Sequence, residues 1–279
     1  MGADMEVCAG IVTYNPDIEW LRENIDSIIN QTKQIVIYDN GSANLKLIEQ
    51  LVLKYDDSIL LKGNENKGIA YALNRLCEWA IKNGYDWILT LDQDSISPRS
   101  LIENLTRYVD EHVAIVSPNI VYKNNESFAT KKETRCEEVE WTITSASLTN
   151  LKVWKELDGF DEWLFIDGVD YDYGIRANAE GYKVIRCFDA ELLHELGNLK
   201  CVNVLGKVLY VTNHSAFRKY YMTRNTIYLR DKLKQGQPAR TIAKYVIKVI
   251  AFEDNKMEKM ASIVHGVSDG LKKIRGGYS

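Results

Sequence analysis

The chain has 279 residues, of which 46% are hydrophobic, 27% are charged and only 4 are proline, a composition that excludes disorder and describes one large globular domain or a domain with an appendage. The five cysteines, Cys8, Cys77, Cys136, Cys187 and Cys201, are widely spaced without a C-x-x-C pair, so zinc or redox work is not indicated and a reducing cytosol is the expected compartment. No signal pattern precedes the first strand and no apolar run approaches the roughly 18 residues of a membrane span, so the chain is not expected to cross a bilayer.

Apolar β-rich runs alternate with helical patterns from the start. Strands are predicted over 7–14, 34–39, 59–62, 87–91 and 113–117, and helices over 18–29, 45–54, 69–83 and 98–110. The first of these helices shows Leu21, Ile25, Ile28 and Ile29 at helical spacing after the start signal Pro16-Asp17. This order is the signature of a parallel sheet with crossover helices, and residues 1–118 read as a nucleotide-binding half. Neither G-x-G-x-x-G nor G-x-x-x-x-G-K-[ST] occurs, which removes the main support for a dinucleotide or P-loop reading.

The fourth strand ends on two carboxylates one residue apart, Asp92-Gln93-Asp94. Ligands of open α/β sheets bind outside the carboxyl ends of the strands. Alternation turns Asp92 and Asp94 to one side, with hard oxygens suited to Mg²⁺ or Mn²⁺ carrying a diphosphate. A solvated turn, or an N-cap for the helix that Ser97-Pro98 starts, is the open alternative.

Residues 119–135 are polar and irregular and read as a surface loop or hairpin, and a strand is predicted over 139–148. An acidic cluster follows, with Asp158, Asp161 and Glu162, then Asp167, Asp170 and Asp172 running into a helix over 173–179. These last three suit either N-capping or supply of a general base, since crowding and partial burial raise a carboxyl pKa.

Net charge is −4, yet residues 216–279 hold 14 Lys and Arg against 5 Asp and Glu. Within this basic quarter the apolar run 245–252 is bordered by Arg240, Lys244, Lys248 and Lys256. It reads either as a helix for an anionic membrane surface or as one packed on the main domain. No nucleic-acid recognition module is present.

Eight motifs in chain order resemble a known family. Val12-Thr13-Tyr14-Asn15-Pro16, Tyr38-Asp39-Asn40-Gly41-Ser42, Asn66-Lys67-Gly68-Ile69-Ala70 with Asn74, and Leu91-Asp92-Gln93-Asp94-Ser95 are similar to family 2 glycosyltransferases of the A-type fold. Asp158-Gly-Phe-Asp-Glu, Phe165-Ile-Asp167 with Asp170 and Arg176, His194-x-Leu-Gly197, and Arg218-Lys-Tyr-Tyr-x-x-Arg224-Asn225 resemble bacterial rhamnosyltransferases of cell-surface polysaccharide synthesis, across roughly residues 6–275.

The resemblance implies an α/β A-type fold over 1–213, divided into a nucleotide-binding half at 1–118 and an acceptor half at 119–213, with a helical extension at 214–279. It implies that Thr13, Tyr14, Asn15 and Asp39 hold the base and ribose, with Lys67 and Gly68 close to the nucleotide. Asp94 becomes the direct metal ligand, with Asp92 near ribose and metal and His194 completing the shell, while Arg218 and Arg224 close over the diphosphate. Asp170 is the expected base of an inverting single displacement and Asp167 the second candidate, reaching the site if its helix begins late; Arg176 is expected to pair with an acid.

The implied donor is dTDP-rhamnose, with UDP-linked galactofuranose, galactose or N-acetyl sugars as alternatives. The implied acceptor is a polyprenyl-diphosphate-linked glycan at the inner face of the cell membrane. A catalytically silent nucleotide-sugar-binding subunit is the rival from another class. Three departures stand out: Val169-Asp170 where the broader family often has Glu-Asp, Ala146 where the rhamnosyl branch commonly has glycine, and Asp172 where it commonly has Glu.

Overall fold

The computed structural model describes residues 5–122, 134–194, 199–204 and 207–278. The first part alternates as expected: β1 (Val7–Thr13), α1 (Ile18–Ile28), β2 (Ile35–Asp39), α2 (Leu45–Val52), β3 (Ser58–Lys62), α3 (Ile69–Lys82), β4 (Trp87–Asp92), α4 (Leu101–Thr106) and β5 (Val113–Tyr122). Then come β6 (Cys136–Glu138), β7 (Ser147–Asn150), α5 (Leu151–Glu156), α6 (Val169–Ala179) and β8 (Lys183–His194). The hairpin β9 (Leu199–Val204) and β10 (Lys207–Thr212) leads into α7 (Ala216–Leu233), α8 (Pro238–Phe252) and α9 (Lys256–Lys272).

Eight strands form one sheet in the order β3-β2-β1-β4-β7-β5-β8-β6. The β3-β2-β1-β4 block and the β5-β8 pair are parallel, whereas β7 runs antiparallel to both β4 and β5, and β6 antiparallel to β8. Successive strand residues point to opposite faces, which divides the core in two. Ala9, Ile11, Ile35, Ile37, Leu89 and Leu91 pack under α1, α2 and α4. Cys8, Val12, Val36, Tyr38 and Ile88 pack under α3, α5 and α6.

Three expectations are corrected. The strand predicted over 139–148 is two short strands, β6 and β7, separated by an irregular link. In that link Thr142 donates to Ser117 Oγ at 2.8 Å, the Thr144 carbonyl accepts from Thr90 Oγ1 at 2.6 Å, and Ala146 sits at φ 57°. The helix predicted over 98–110 shrinks to Leu101–Thr106. Helix α6 starts at Val169, four residues before its expected start, because Gly168 at φ 86° turns the chain into it.

The basic quarter is not a loose appendage. Leu229 of α7 belongs to the core cluster under α3 and α6, and Lys219, Tyr220, Tyr221, Thr223, Arg224 and Asn225 are buried. Of α8, only Val249 is buried. Among the described residues no helix is long and apolar enough to cross a membrane.

Candidate active site

Parallel register brings the carboxyl ends of β1, β2 and β4 to one edge, with Thr13 beside Asp39 and Val12 beside Asp92. The turn after β4 is pinned from several sides. Asn24, fully buried on α1, donates to the Asp92 carbonyl at 2.6 Å. Asp92 N donates to Ser145 Oγ at 3.4 Å, and Ser95 and Ser145 share a hydroxyl bond of 2.9 Å. Gln93 Oε1 accepts from Tyr14 N at 2.9 Å, tying the turn to the end of β1. Asp94 projects from this fixed turn as an exposed carboxylate.

Asp39 is fully buried and accepts four hydrogen bonds, from Thr13 Oγ1 at 3.1 Å, Ser42 Oγ at 2.5 Å, Gly41 N at 3.2 Å and Ser42 N at 2.9 Å. Four bonds fill the sites of a carboxylate, so a ligand N–H would reach Asp39 by displacing one of the two hydroxyl donors. These bonds lock the β2 loop, and the equally buried Thr13 side chain serves that network. Asn15, at φ 48°, extends it by accepting from Ala43 N at 2.8 Å while its own N–H donates to Ser42 Oγ. Side chains left at the surface to meet a ligand are Tyr14, 46% exposed, and Lys67, 48% exposed and 3.7 Å from Glu65.

Gly68 makes a close backbone approach within the fold. At φ 91°, a Cβ there would lie 2.6 Å from Phe165 Cα, and the next amide, Ile69 N, donates to the Phe165 carbonyl at 2.6 Å. The glycine lets the start of α3 touch the loop that carries the second set of acids.

That loop, residues 163–168, holds Phe165 at φ 62° and Asp167 at φ 63° before Gly168. These left-handed conformations are costly for non-glycine residues and persist only where the surroundings enforce them. Asp167 accepts both Nε and Nη2 of Arg218, at 3.0 and 2.9 Å. With the helix starting early and this pair formed, the condition set for Asp167 as a base is not met. Asp170, in the first turn of α6, is partly buried. Desolvation, reinforced by the nearby charges of Asp92 and Asp167 and opposed by hydrogen bonding to Thr144, pushes its carboxyl up to about 7. Asp92 and Asp170 are thus near enough for their charges to interact.

Arg224 is corrected most firmly. It is fully buried, donating to Asn225 Oδ1 and to the carbonyls of Gly276, Trp163 and Leu164, and cannot clamp a diphosphate. Arg218, by contrast, is 46% exposed. Arg176 pairs with buried Asp172 at 2.8 Å as expected. Asn74 anchors the Asp158–Glu162 segment by accepting from Phe160 N and donating to its carbonyl, both at 2.9 Å. The His194 side chain lies outside the described residues. Sequence reasoning gave no role to Asn24, Ser42, Ser145 or Asn225, although Ser42 and Asn225 stand in the motifs that carry the resemblance. Asn24 carried a signal of its own, as a polar residue within the apolar face of α1 formed by Leu21, Ile25 and Ile28.

Among the described residues no group of three or more His, Cys, Asp or Glu side chains converges into a metal cage. A polar cleft of about 680 Å³ lies beside the Asp158–Glu162 segment, lined by Asn74, Arg75, Trp154, Arg176, Tyr228 and Lys232 among others, and contains neither Asp94 nor Asp170.

The α/β sheet, with two carboxylates at the end of β4 and the raised Asp170 carboxyl near Asp92, agrees with the A-type transferase fold that the sequence resemblance implied. Residues 8–164 match glycosyl transferase family 2, and the chain belongs to that family; it is a glycosyltransferase. It is 28% identical to the dTDP-rhamnosyl transferase RfbF of Shigella flexneri over 97% of both chains. It is also 33% identical to the hyaluronan synthase of Streptococcus pyogenes over 44% of this chain and 32% of that one. Among solved structures, GalNAc-T7 with UDP, GalNAc and Mn²⁺ superposes with a TM-score of 0.63 at 14% identity, covering 97% of this chain and 56% of that one. Residues 1–349 of S. aureus TarS give a TM-score of 0.58 at 12% identity over 96% and 81%. These two likenesses establish the A-type fold.

Proposed function

We propose that the enzyme moves a sugar onto a hydroxyl of a growing surface glycan by a metal-dependent, inverting single displacement, with dTDP-rhamnose the favoured donor. The observation that carries this reading is the facing pair of acid sites, an exposed Asp94 on a rigid turn and a partly buried Asp170 close enough to Asp92 for their charges to interact. Similarity to a dTDP-rhamnosyl transferase along nearly the whole chain supports the donor. UDP-linked sugars are the alternatives, tested together with it.

Mg²⁺ or Mn²⁺ would be held by Asp94 and Asp92 together with donor diphosphate oxygens, with His194 as the further candidate ligand. When bound, the ion supplies Lewis-acid neutralisation of the diphosphate leaving group. Tyr14 and Lys67 line the nucleotide side. Arg218, held by Asp167 through Nε and Nη2, offers its remaining donors to phosphate oxygens. Asp170 takes the proton from the acceptor hydroxyl as that oxygen bonds the anomeric carbon and the bond to the diphosphate breaks. The nucleoside diphosphate leaves from the opposite face, and configuration inverts.

The acceptor we assign is a polyprenyl-diphosphate-linked glycan. Support comes from α8, where Ile247 and Ile250 are 61% and 56% exposed beside Arg240, Lys244 and Lys248, all exposed. An apolar face bordered by cations suits an anionic bilayer surface.

Calorimetric titration with dTDP, UDP and GDP, with and without Mn²⁺, tests the donor site. Metal-dependent binding of dTDP or UDP that Asp94→Ala abolishes is the expected result. A folded protein that binds no nucleotide would overturn the assignment, and binding without transfer of any sugar would favour the silent-subunit reading.

A further inference from the structure

Arg224 and Asn225 are buried adjacent polar residues on α7, 0% and 2% exposed, and neither faces solvent or the space between Asp92 and Asp170. Their bonds converge on one segment. Asn225 Nδ2 donates to the carbonyls of Leu164, Ile166 and Asp167 at 2.9, 2.7 and 2.7 Å. Arg224 Nη2 donates to the carbonyls of Trp163 and Leu164 at 2.9 and 3.2 Å. Every carbonyl from Trp163 to Asp167 except that of Phe165 is thus taken by this pair, and the Phe165 carbonyl is taken by Ile69 N.

The two residues also act on each other. Arg224 Nε donates to Asn225 Oδ1 at 3.1 Å, which fixes the amide with its N–H groups toward the loop. The guanidinium is held in turn by the Trp163 and Tyr221 rings, 4.3 and 4.8 Å from their centroids, and by the Gly276 carbonyl, which accepts from Nη1 at 2.7 Å. The segment so gripped holds left-handed Phe165 and Asp167 and runs through Gly168 into the helix turn bearing Asp170. Such a backbone does not stand by local preference. Something remote has to hold it, and the bonds identify what does.

We propose that Arg224 and Asn225 are positioning residues for sugar transfer: from the buried face of α7 they hold residues 163–168 in their left-handed path and so set where Asp170 meets the acceptor hydroxyl. The proposal rests on the reading of Asp170 as the base. It explains why the Arg-Asn pair of the carboxyl-terminal motif contacts no ligand-facing surface.

Asn225→Asp is the discriminating substitution. It is isosteric and keeps an oxygen for Arg224 Nε, but replaces the donors that face three carbonyls with an acceptor. Three quantities are measured on the full chain: turnover, donor-nucleotide affinity, and backbone hydrogen exchange by segment. The expected result is turnover lowered by about 100-fold, the size of effect that a misplaced reacting group produces, with metal-dependent nucleotide binding retained and Kd weakened by less than about tenfold, because Asp92, Asp94 and Tyr14 lie outside the segment and only Arg218 is held through it. Exchange should quicken at residues 163–172 and at the Ile69 amide and stay unchanged in β1 and β4.

Unchanged turnover in the folded variant, or quickened exchange spread evenly over the molecule, would overturn the proposal. If Asn225→Asp does not fold, Arg224→Lys, which gives up the planar fork and frees the Asn225 amide to rotate, is read by the same three measurements. A wild-type enzyme that transfers no sugar would defeat the proposed function. Segment exchange would still show, separately, whether the pair holds the loop.

Discussion

The site is made of two acid-bearing turns built in opposite ways. The Asp92–Asp94 turn is the direct continuation of a central strand, fastened by side chains within the nucleotide-binding half and by Ser145, and it presents Asp94 to solvent. The Trp163–Gly168 loop follows no strand. It bends through left-handed residues, and its bonds come from α7 some 60 residues later and from the start of α3. The first turn keeps its shape from nearby parts of the sheet and can wait for a ligand, whereas the second depends on distant elements and keeps its base half out of water. Substitutions should therefore act differently on the two sides.

The largest effect is expected where the second turn does its chemistry. Asp170→Asn keeps the shape but removes the proton acceptor, and turnover should fall by roughly 10³-fold, within the range for losing a general base. Metal-dependent nucleotide binding should persist, in contrast to its loss in Asp94→Ala. Turnover within tenfold of wild type would transfer the base role elsewhere.

A smaller effect, on stability, is expected where the two turns are joined. Gly68→Ala puts a methyl against the Phe165 backbone at a φ of 91°, so strain and overpacking act together. The cost should be about 2–4 kcal/mol, read as a lower midpoint in urea with an unchanged slope. A neutral substitution would show that the close approach of α3 to the acid loop is dispensable.

How much of this was visible in the sequence follows the same division. Strands 7–14, 34–39 and 87–91 and their helices were legible because each strand is an apolar run bounded by turn residues, and the Asp92–Asp94 turn came with its strand. The run Trp141-Thr-Ile-Thr-Ser-Ala-Ser mimics a strand by alternation. In the fold its threonines and serines are spent on loop bonds, and Ala146 occupies a left-handed position, φ 57°. That conformation gives a physical reason for glycine there in the rhamnosyl branch. The early start of α6 was hidden because Gly168 looks like an ordinary turn residue until its φ is known. Arg224 was assigned to a ligand since Arg suits phosphate, and Asp39 since Asp suits an imide N–H. In the fold Arg224 meets main-chain carbonyls and the Asn225 side chain, and Asp39 meets main-chain N–H groups and neighbouring hydroxyls, contacts that periodicity does not reveal. For Asn225 those partners lie about 60 positions away, beyond any local pattern.

The smallest expected effect sharpens the contrast in burial between the turns. In metal-free protein the Asp170 carboxyl is pushed from 3.8 up to about 7, with desolvation the largest cause and the Asp92 charge adding to it. Between those values the folded protein keeps a proton that the unfolded chain has released, so stability must fall as pH rises through that window and level off above about 7. Below the lower value both states are protonated and the contribution vanishes. Because Asp170 is partly open to solvent, the loss is expected to be on the order of 2 kcal/mol, below what the full shift converts to. Urea unfolding at pH 5 and pH 8 in the presence of a chelator should show it, and Asp170→Asn should flatten the difference while raising stability at pH 8. An equal pH dependence in wild type and Asp170→Asn would place the buried proton on another group and remove the energetic distinction between the two turns.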